Sequence, residues 1–147
     1  VIALDANVLA RFYIEDEGDQ EAKAQRGAAR ALLESGQRFY VPLSAIQELE
    51  WIMRGVYEFG RNDAVRVLEH LLGLPNVETD SAAAVGRALE WHRRGLDFSD
   101  ALHLALSAHC AEVATFDRGF ASRARRLGLR PPVSHPPAQE GARPRGP

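Results

Sequence analysis

Four acidic side chains stand where mixed α/β chains commonly do chemistry. Asp5 follows the apolar run Val1–Leu4 and Asp117 follows Val113–Phe116, so each sits where a strand leaves a sheet. Asp100 opens an apolar helical pattern carrying Ala101, Leu102, Ala105 and Leu106. Glu48 lies in the first turns of another, with Ile46, Leu49, Ile52 and Met53. Taken singly, each acid has an ordinary reading as a cap, a turn residue or a solvated helix position. Taken together, they are expected to converge, because open α/β sheets bind ligands at the carboxyl ends of their strands. Carboxylates brought together repel and raise one another's pKa values, so a persistent ionised set needs a compensating cation. No His/Cys grouping of the zinc type occurs, and the hard ions Mg²⁺ or Mn²⁺ suit carboxylate and water oxygens. One such ion polarises a phosphodiester and lowers the pKa of bound water; a second, about 3.5–4 Å away, stabilises the departing oxygen.

The elements that must position these acids follow from hydrophobic patterning. Short apolar runs at Val1–Leu4, Phe39–Val41, Asn76–Thr79 and Val113–Phe116 alternate with longer helical patterns over about Ala22–Leu33, from Ser44, over Asp63–Leu72, after Asp80 or Ser81, and over Asp100–Cys110. That alternation predicts an α/β fold with a mostly parallel sheet covered on both faces. Ser44 and Gln47 have capping-box spacing, Ser99 is placed to cap the Asp100 helix, and Gly36, Gly73 and Gly95 punctuate helix ends. With 147 residues and 46% apolar side chains, the chain matches one globular domain. The domain is expected over residues 1–130, with 131–147 a flexible Pro/Gly-rich tail beyond any initial docking.

The net charge of -2 hides an asymmetry: Arg118, Arg123, Arg125, Arg126 and Arg130 follow Asp117 with no acid in the interval. Lys23 is the only lysine, and arginine suits bidentate phosphate or carboxylate contacts. The lone Cys110 excludes an intrachain disulfide and is expected to be an inert buried thiol. No apolar run reaches the length of a membrane span, and the opening segment is too short and uncharged for a signal peptide, so a cytoplasmic protein is expected.

Four segments, in order, resemble the motifs of the PIN-domain ribonucleases, and within them the VapC-type toxins of toxin–antitoxin pairs. Leu4-Asp5-Ala6-Asn7-Val8-Leu9 is similar to the first acidic motif and Ile46-Gln47-Glu48-Leu49 to the helical glutamate motif. Leu96-Asp97-Phe98-Ser99-Asp100-Ala101-Leu102-His103 is similar to the central motif, and Ala114-Thr115-Phe116-Asp117-Arg118-Gly119-Phe120 to the last. The likeness spans about Val1 to Leu129. It implies a PIN-like three-layer fold, a central mostly parallel sheet flanked by helices. It also implies an endoribonuclease that uses Mg²⁺ or Mn²⁺, with Asp5, Glu48, Asp100 and Asp117 as the catalytic acids. Asp5, Asp100 and Asp117 are then the metal ligands, joined by Glu48 and Asp97, while Asn7 and Thr115 orient a carboxylate or water. Glu48 either helps hold a second ion or orients the nucleophile. Ala6 stands where relatives often carry Thr or Ser, and Ser99 where many carry Ala.

Arg118, Arg123, Arg125 and Arg126 are candidate RNA-phosphate contacts, with a solvated helix face as their alternative. The resemblance further implies an RNA substrate, a homodimer and a VapB-like antitoxin partner. Trp51 and Phe59 are read as core or dimer-surface residues, and His92, His103 and His109 as packing residues. Two phosphoryl-transfer and signalling classes share the opening strand and acid. The haloacid-dehalogenase-like pattern wants Asp-x-Asp where this chain has Asp5-Ala6-Asn7, and a receiver-like domain wants a late lysine. The remaining alternative is a catalytically inactive PIN-like module that binds RNA or protein.

Overall fold

The structure, a computed structural model, describes residues 1–139. The opening apolar run forms β1 (Ile2–Ala3), while Phe39–Tyr40 and Val77–Glu78 form β2 and β3. β2 lies between the other two and all three run parallel, with Ile2 opposite Phe39 and Phe39 opposite Val77. A second parallel pair joins β4 (Val113–Ala114) to β5 (Val133–Ser134), with Val113 opposite Val133. The ladders continue one bond past each central strand: Leu4 N–H donates to the Tyr40 carbonyl and Val41 N–H to that of Glu78, both at 2.9 Å.

Parallel strands cannot be joined by tight hairpins, so every connection is a helical crossover. α1 (Ala6–Tyr13) and α2 (Gln20–Leu33) link β1 to β2, and α3 (Leu43–Trp51) and α4 (Arg61–Gly73) link β2 to β3. α5 (Ala82–Arg93) and α6 (Phe98–Leu106) lead to β4, and α7 (Arg118–Arg126) returns to β5. The result is the expected α/β architecture, a parallel sheet flanked by helices, with α1 packed on α2 and α3 and α5 packed on α4 and α6. Leu9, Phe39, Val41, Ile46, Leu49, Leu68, Val85 and Leu104 are buried in one apolar cluster that spans these layers. No helix among the described residues is long and apolar enough to cross a membrane.

Local expectations failed where tertiary contacts decided the outcome. α3 begins at Leu43 behind Pro42, with no side-chain cap; Gln47 instead donates from Nε2 to Ser99 Oγ at 2.9 Å, tying α3 to α6. Ser99 does not cap α6, because Asp97 does. Ser81 precedes α5 in a left-handed conformation and makes no cap bond, while Asp80 accepts from Tyr40 Oη at 2.6 Å. α6 stops at Leu106, where Ser107 Oγ donates back to the His103 carbonyl at 2.8 Å. Cys110 therefore lies beyond the helix in a turn and is exposed, not the buried thiol expected of it. Trp51 is 64% exposed and is no core residue, whereas Phe59 packs against the core.

The chain beyond residue 130 docks through β5: Val113 N–H donates to the Pro132 carbonyl and Thr115 N–H to that of Ser134, both at 2.9 Å. Val133 is buried among the core residues. The last part of the expected tail, 140–147, lies outside the described residues.

Candidate functional site

Three of the sequence-marked acids are helix N-caps, which fixes where their carboxylates stand. Asp5 leaves β1 in an extended conformation and caps α1, its Oδ1 accepting from Asn7 N–H at 3.2 Å. Asp97 caps α6, with Oδ2 accepting from Ser99 N–H at 3.1 Å and Asp100 N–H at 3.4 Å. Asp117 leaves β4 and caps α7, its Oδ1 accepting from Phe120 N–H at 3.0 Å. A helix start suits such groups, since its unpaired N–H donors and the positive end of the dipole both favour a carboxylate. In each case the second carboxylate oxygen accepts no hydrogen bond from the protein among the described residues.

Asp100 occupies the first turn of α6 and is half-buried. Its pKa is raised first by desolvation and then by the negative charges of Asp97 and Asp117, with His103 and Arg123 acting in the opposite sense. Asp97, Asp100 and Asp117 thus share one electrostatic field, although Asp117 stands at the end of a different strand. Thr115 braces the chain there, its Oγ1 accepting from Asp117 N–H at 3.0 Å. Asn7 contributes its backbone N–H to Asp5.

Glu48 is exposed on α3, which packs against α1 behind Asp5 and is tied by Gln47 to Ser99, the residue before Asp100. No hydrogen bond or ion pair joins Asp5 or Glu48 to the other three acids among the described residues. None of the five acids is paired with an Arg, Lys or His within salt-bridge distance there, although ion pairs occur elsewhere, such as Arg93 with Glu69 at 2.6 Å. The donor set is all oxygen and lacks a positive partner, so its chemistry fits a hard divalent cation. Its side chains are not gathered into a shell, however: among the described residues no group of three or more His, Cys, Asp or Glu is placed to hold a metal ion.

α7 brings its arginines beside this field but sorts them. The charge of Arg123 opposes the rise in the Asp100 pKa, and with Arg94, Gly95, Arg126 and Leu127 this arginine lines a cleft of about 210 Å³. Arg118, Arg125 and Arg126 line another, of about 330 Å³, together with Ala121, Ser122 and His135. Positions 118, 122 and 125 share a face of α7 and 123 is turned away from it, while Arg126 borders both clefts.

One supporting group takes the packing role expected of it, and another escaped sequence reasoning. His92 is 2% exposed; its Nδ1–H donates to the Leu96 carbonyl at 2.7 Å and its Nε2 meets Glu50 Oε1 at 3.0 Å, binding α5, α3 and the approach to α6 together. Only the spacing of His92 and Leu96 was visible locally; Glu50 lies 42 residues away. His135 reaches the α7 cleft through β5, from a segment whose composition reads as tail.

Acids at the exits of parallel strands and at helix starts, with an arginine-rich helix alongside, are thus set in an α/β fold. The family model for the PIN domain matches residues 2–126, and the chain belongs to the PIN-domain family. Comparison with curated proteins finds no match to the chain.

Proposed function

We propose that the protein is a divalent-metal-dependent endoribonuclease that hydrolyses RNA phosphodiesters, and that it acts as the VapC-type toxin of a toxin–antitoxin pair. The observation that carries the reading is the shared field of Asp97, Asp100 and Asp117, which raises the Asp100 pKa and, among the described residues, meets no basic partner at salt-bridge distance. Asp5, Asp100 and Asp117 would hold Mg²⁺ or Mn²⁺, with Asp97 and Glu48 as further ligands. When bound, the ion supplies the positive charge that the carboxylates lack and polarises the phosphodiester.

The remaining work belongs to the chain's own residues. Thr115 and Asn7 hold Asp117 and Asp5 through hydroxyl and backbone contacts, so that each acid presents a fixed oxygen. Glu48 would either help hold a second ion or orient the attacking water. Arg118, Arg123, Arg125 and Arg126 would neutralise RNA phosphates and draw the substrate to an otherwise negative centre. The exposed apolar pair Trp51 and Val56, on α3 and the π-helical turn that follows it, supports a homodimer. A VapB-like antitoxin and a cytoplasmic location belong to the same reading.

Cleavage of an RNA panel, titrated with Mg²⁺ and Mn²⁺, tests it. Activity should require either ion and be lost in Asp5→Asn and Asp100→Asn; full metal-independent cleavage by both variants would overturn the proposal. The dispersed orientation of the acids favours one competing reading, a PIN-like module that binds RNA or protein without turnover. RNA binding with no cleavage in either ion would establish that reading.

A further inference from the structure

Phe116 precedes Asp117 and is 75% exposed, an unusual position for a large aromatic in a chain whose other phenylalanines are at least partly buried. One ring accompanies it: His135 packs against it edge to face, with centroids 5.6 Å apart and planes at 80°. The same His135 lines the α7 cleft of about 330 Å³ with Arg118, Arg125 and Arg126. Among the described residues none of these three arginines has an acidic partner at salt-bridge distance. An open aromatic face therefore runs through His135 into a pocket with uncompensated positive charge, and both begin one residue from a carboxylate of the candidate centre.

Aromatic faces beside a basic groove are the two parts from which single-stranded nucleic-acid sites are built: π-stacking takes the base and the cations take the backbone. We infer that Phe116, His135 and the Arg118–Arg125–Arg126 cleft form a subsite for single-stranded RNA, with a nucleobase stacked on Phe116 and an adjoining phosphate held in the cleft. This rests on the ribonuclease reading for its choice of ligand. It makes β5 part of substrate recognition, because the pairing of Val133 with Val113 is what delivers His135 to Phe116. It also assigns Arg118, Arg125 and Arg126 to the phosphate that adjoins the stacked base.

Binding is measured separately from turnover, by fluorescence anisotropy of a labelled single-stranded oligouridylate or oligoadenylate with the full chain in EDTA. Phe116→Ala should weaken binding about 5- to 150-fold, the range spanned by loss of one base–aromatic stack. Phe116→Trp should retain it. Arg125→Ala and Arg126→Ala should each weaken binding and lower the slope of log affinity against log salt by about 0.7, the value for one phosphate contact on a single strand. All three positions are exposed, and unchanged thermal melting will verify that the variants fold.

Wild-type cleavage in Mn²⁺ together with unaltered RNA affinity in Phe116→Ala and Arg125→Ala would overturn the subsite and leave the ribonuclease reading standing. Binding that depends on Phe116 and the arginines, with no cleavage in any metal, would support the subsite and overturn the ribonuclease reading instead. A change in sedimentation of Phe116→Ala with RNA affinity intact would identify Phe116 as a protein contact and overturn the subsite, as would failure of the wild-type chain to bind either oligonucleotide.

Discussion

Asp97 carries two physical roles that one pair of substitutions can separate. Its Oδ2 caps α6 by accepting from Ser99 and Asp100 N–H, and its charge is the largest electrostatic cause, after desolvation, of the raised pKa of Asp100. Asparagine retains a cap of comparable strength and removes the charge; alanine removes both. Loss of the cap costs about 1 kcal/mol, within a range of roughly 0.5–2. Removal of the like charge acts in the opposite direction, since it relieves Asp100. Asp97→Asn should therefore equal or exceed the wild type in stability without divalent ions at neutral pH. Asp97→Ala should fall about 1 kcal/mol below Asp97→Asn, or about 3 °C in Tm for a chain of this size. Urea unfolding supplies the stabilities, and carboxyl chemical shifts followed through a pH titration supply the Asp100 pKa, which should move down in both variants. Equal stability of the two variants would refute the cap assignment. An Asp100 titration unchanged in Asp97→Asn would refute the shared field on which the candidate centre depends.

Asp100→Asn should stabilise the metal-free protein at neutral pH. The folded state holds the Asp100 proton more tightly than the unfolded state does, so wild-type stability rises as pH falls through the raised pKa towards the ordinary carboxylate value of 3.8. The advantage of Asp100→Asn should consequently disappear at pH values below about 4, and urea midpoints at neutral and acid pH will show whether it does. Gly119→Ala places a Cβ 3.2 Å from Asp117 Oδ1, so that carboxylate must shift by a few tenths of an ångström. RNA cleavage should fall about tenfold or more while Tm changes by less than about 3 °C, because positioning is more sensitive than folding to such a displacement; unaltered cleavage would count against Asp117 as a working acid.

The strand exits were legible because an apolar run ending at an acid is a local signal, and both Asp5 and Asp117 stand where it puts them. α1 was not read, although Asp5 followed by Val8, Leu9 and Phe12 carries a cap and an apolar face; Asp5-Ala6-Asn7 has the composition of a polar strand edge and hid it. Ser44 and Gln47 have the right spacing for a capping box, yet Gln47 commits its amide to Ser99, a contact across 52 residues that local patterning cannot contain. At α6 two capping residues lie close together, and chain conformation chose Asp97 over Ser99. β5 was invisible for a different reason: its ladder is two residues long and flanked by prolines, too short to show periodicity.

Three of the candidate acids are doubly employed, because each is also a helix cap. Asp5, Asp97 and Asp117 each face the N-terminus of a different helix. Backbone N–H donors and the dipole end of each helix supply local positive potential where, among the described residues, no basic side chain pairs directly with these acids. Asp100 lacks this arrangement, since it lies within the first turn and caps nothing, and it is the acid whose pKa is raised. The fold thus gives the capping acids backbone donors, while desolvation and the repulsion of Asp97 and Asp117 fall on Asp100. A divalent ion that drew on the free oxygens of the caps would oppose the repulsion that raises the Asp100 pKa, and so would favour its ionised form.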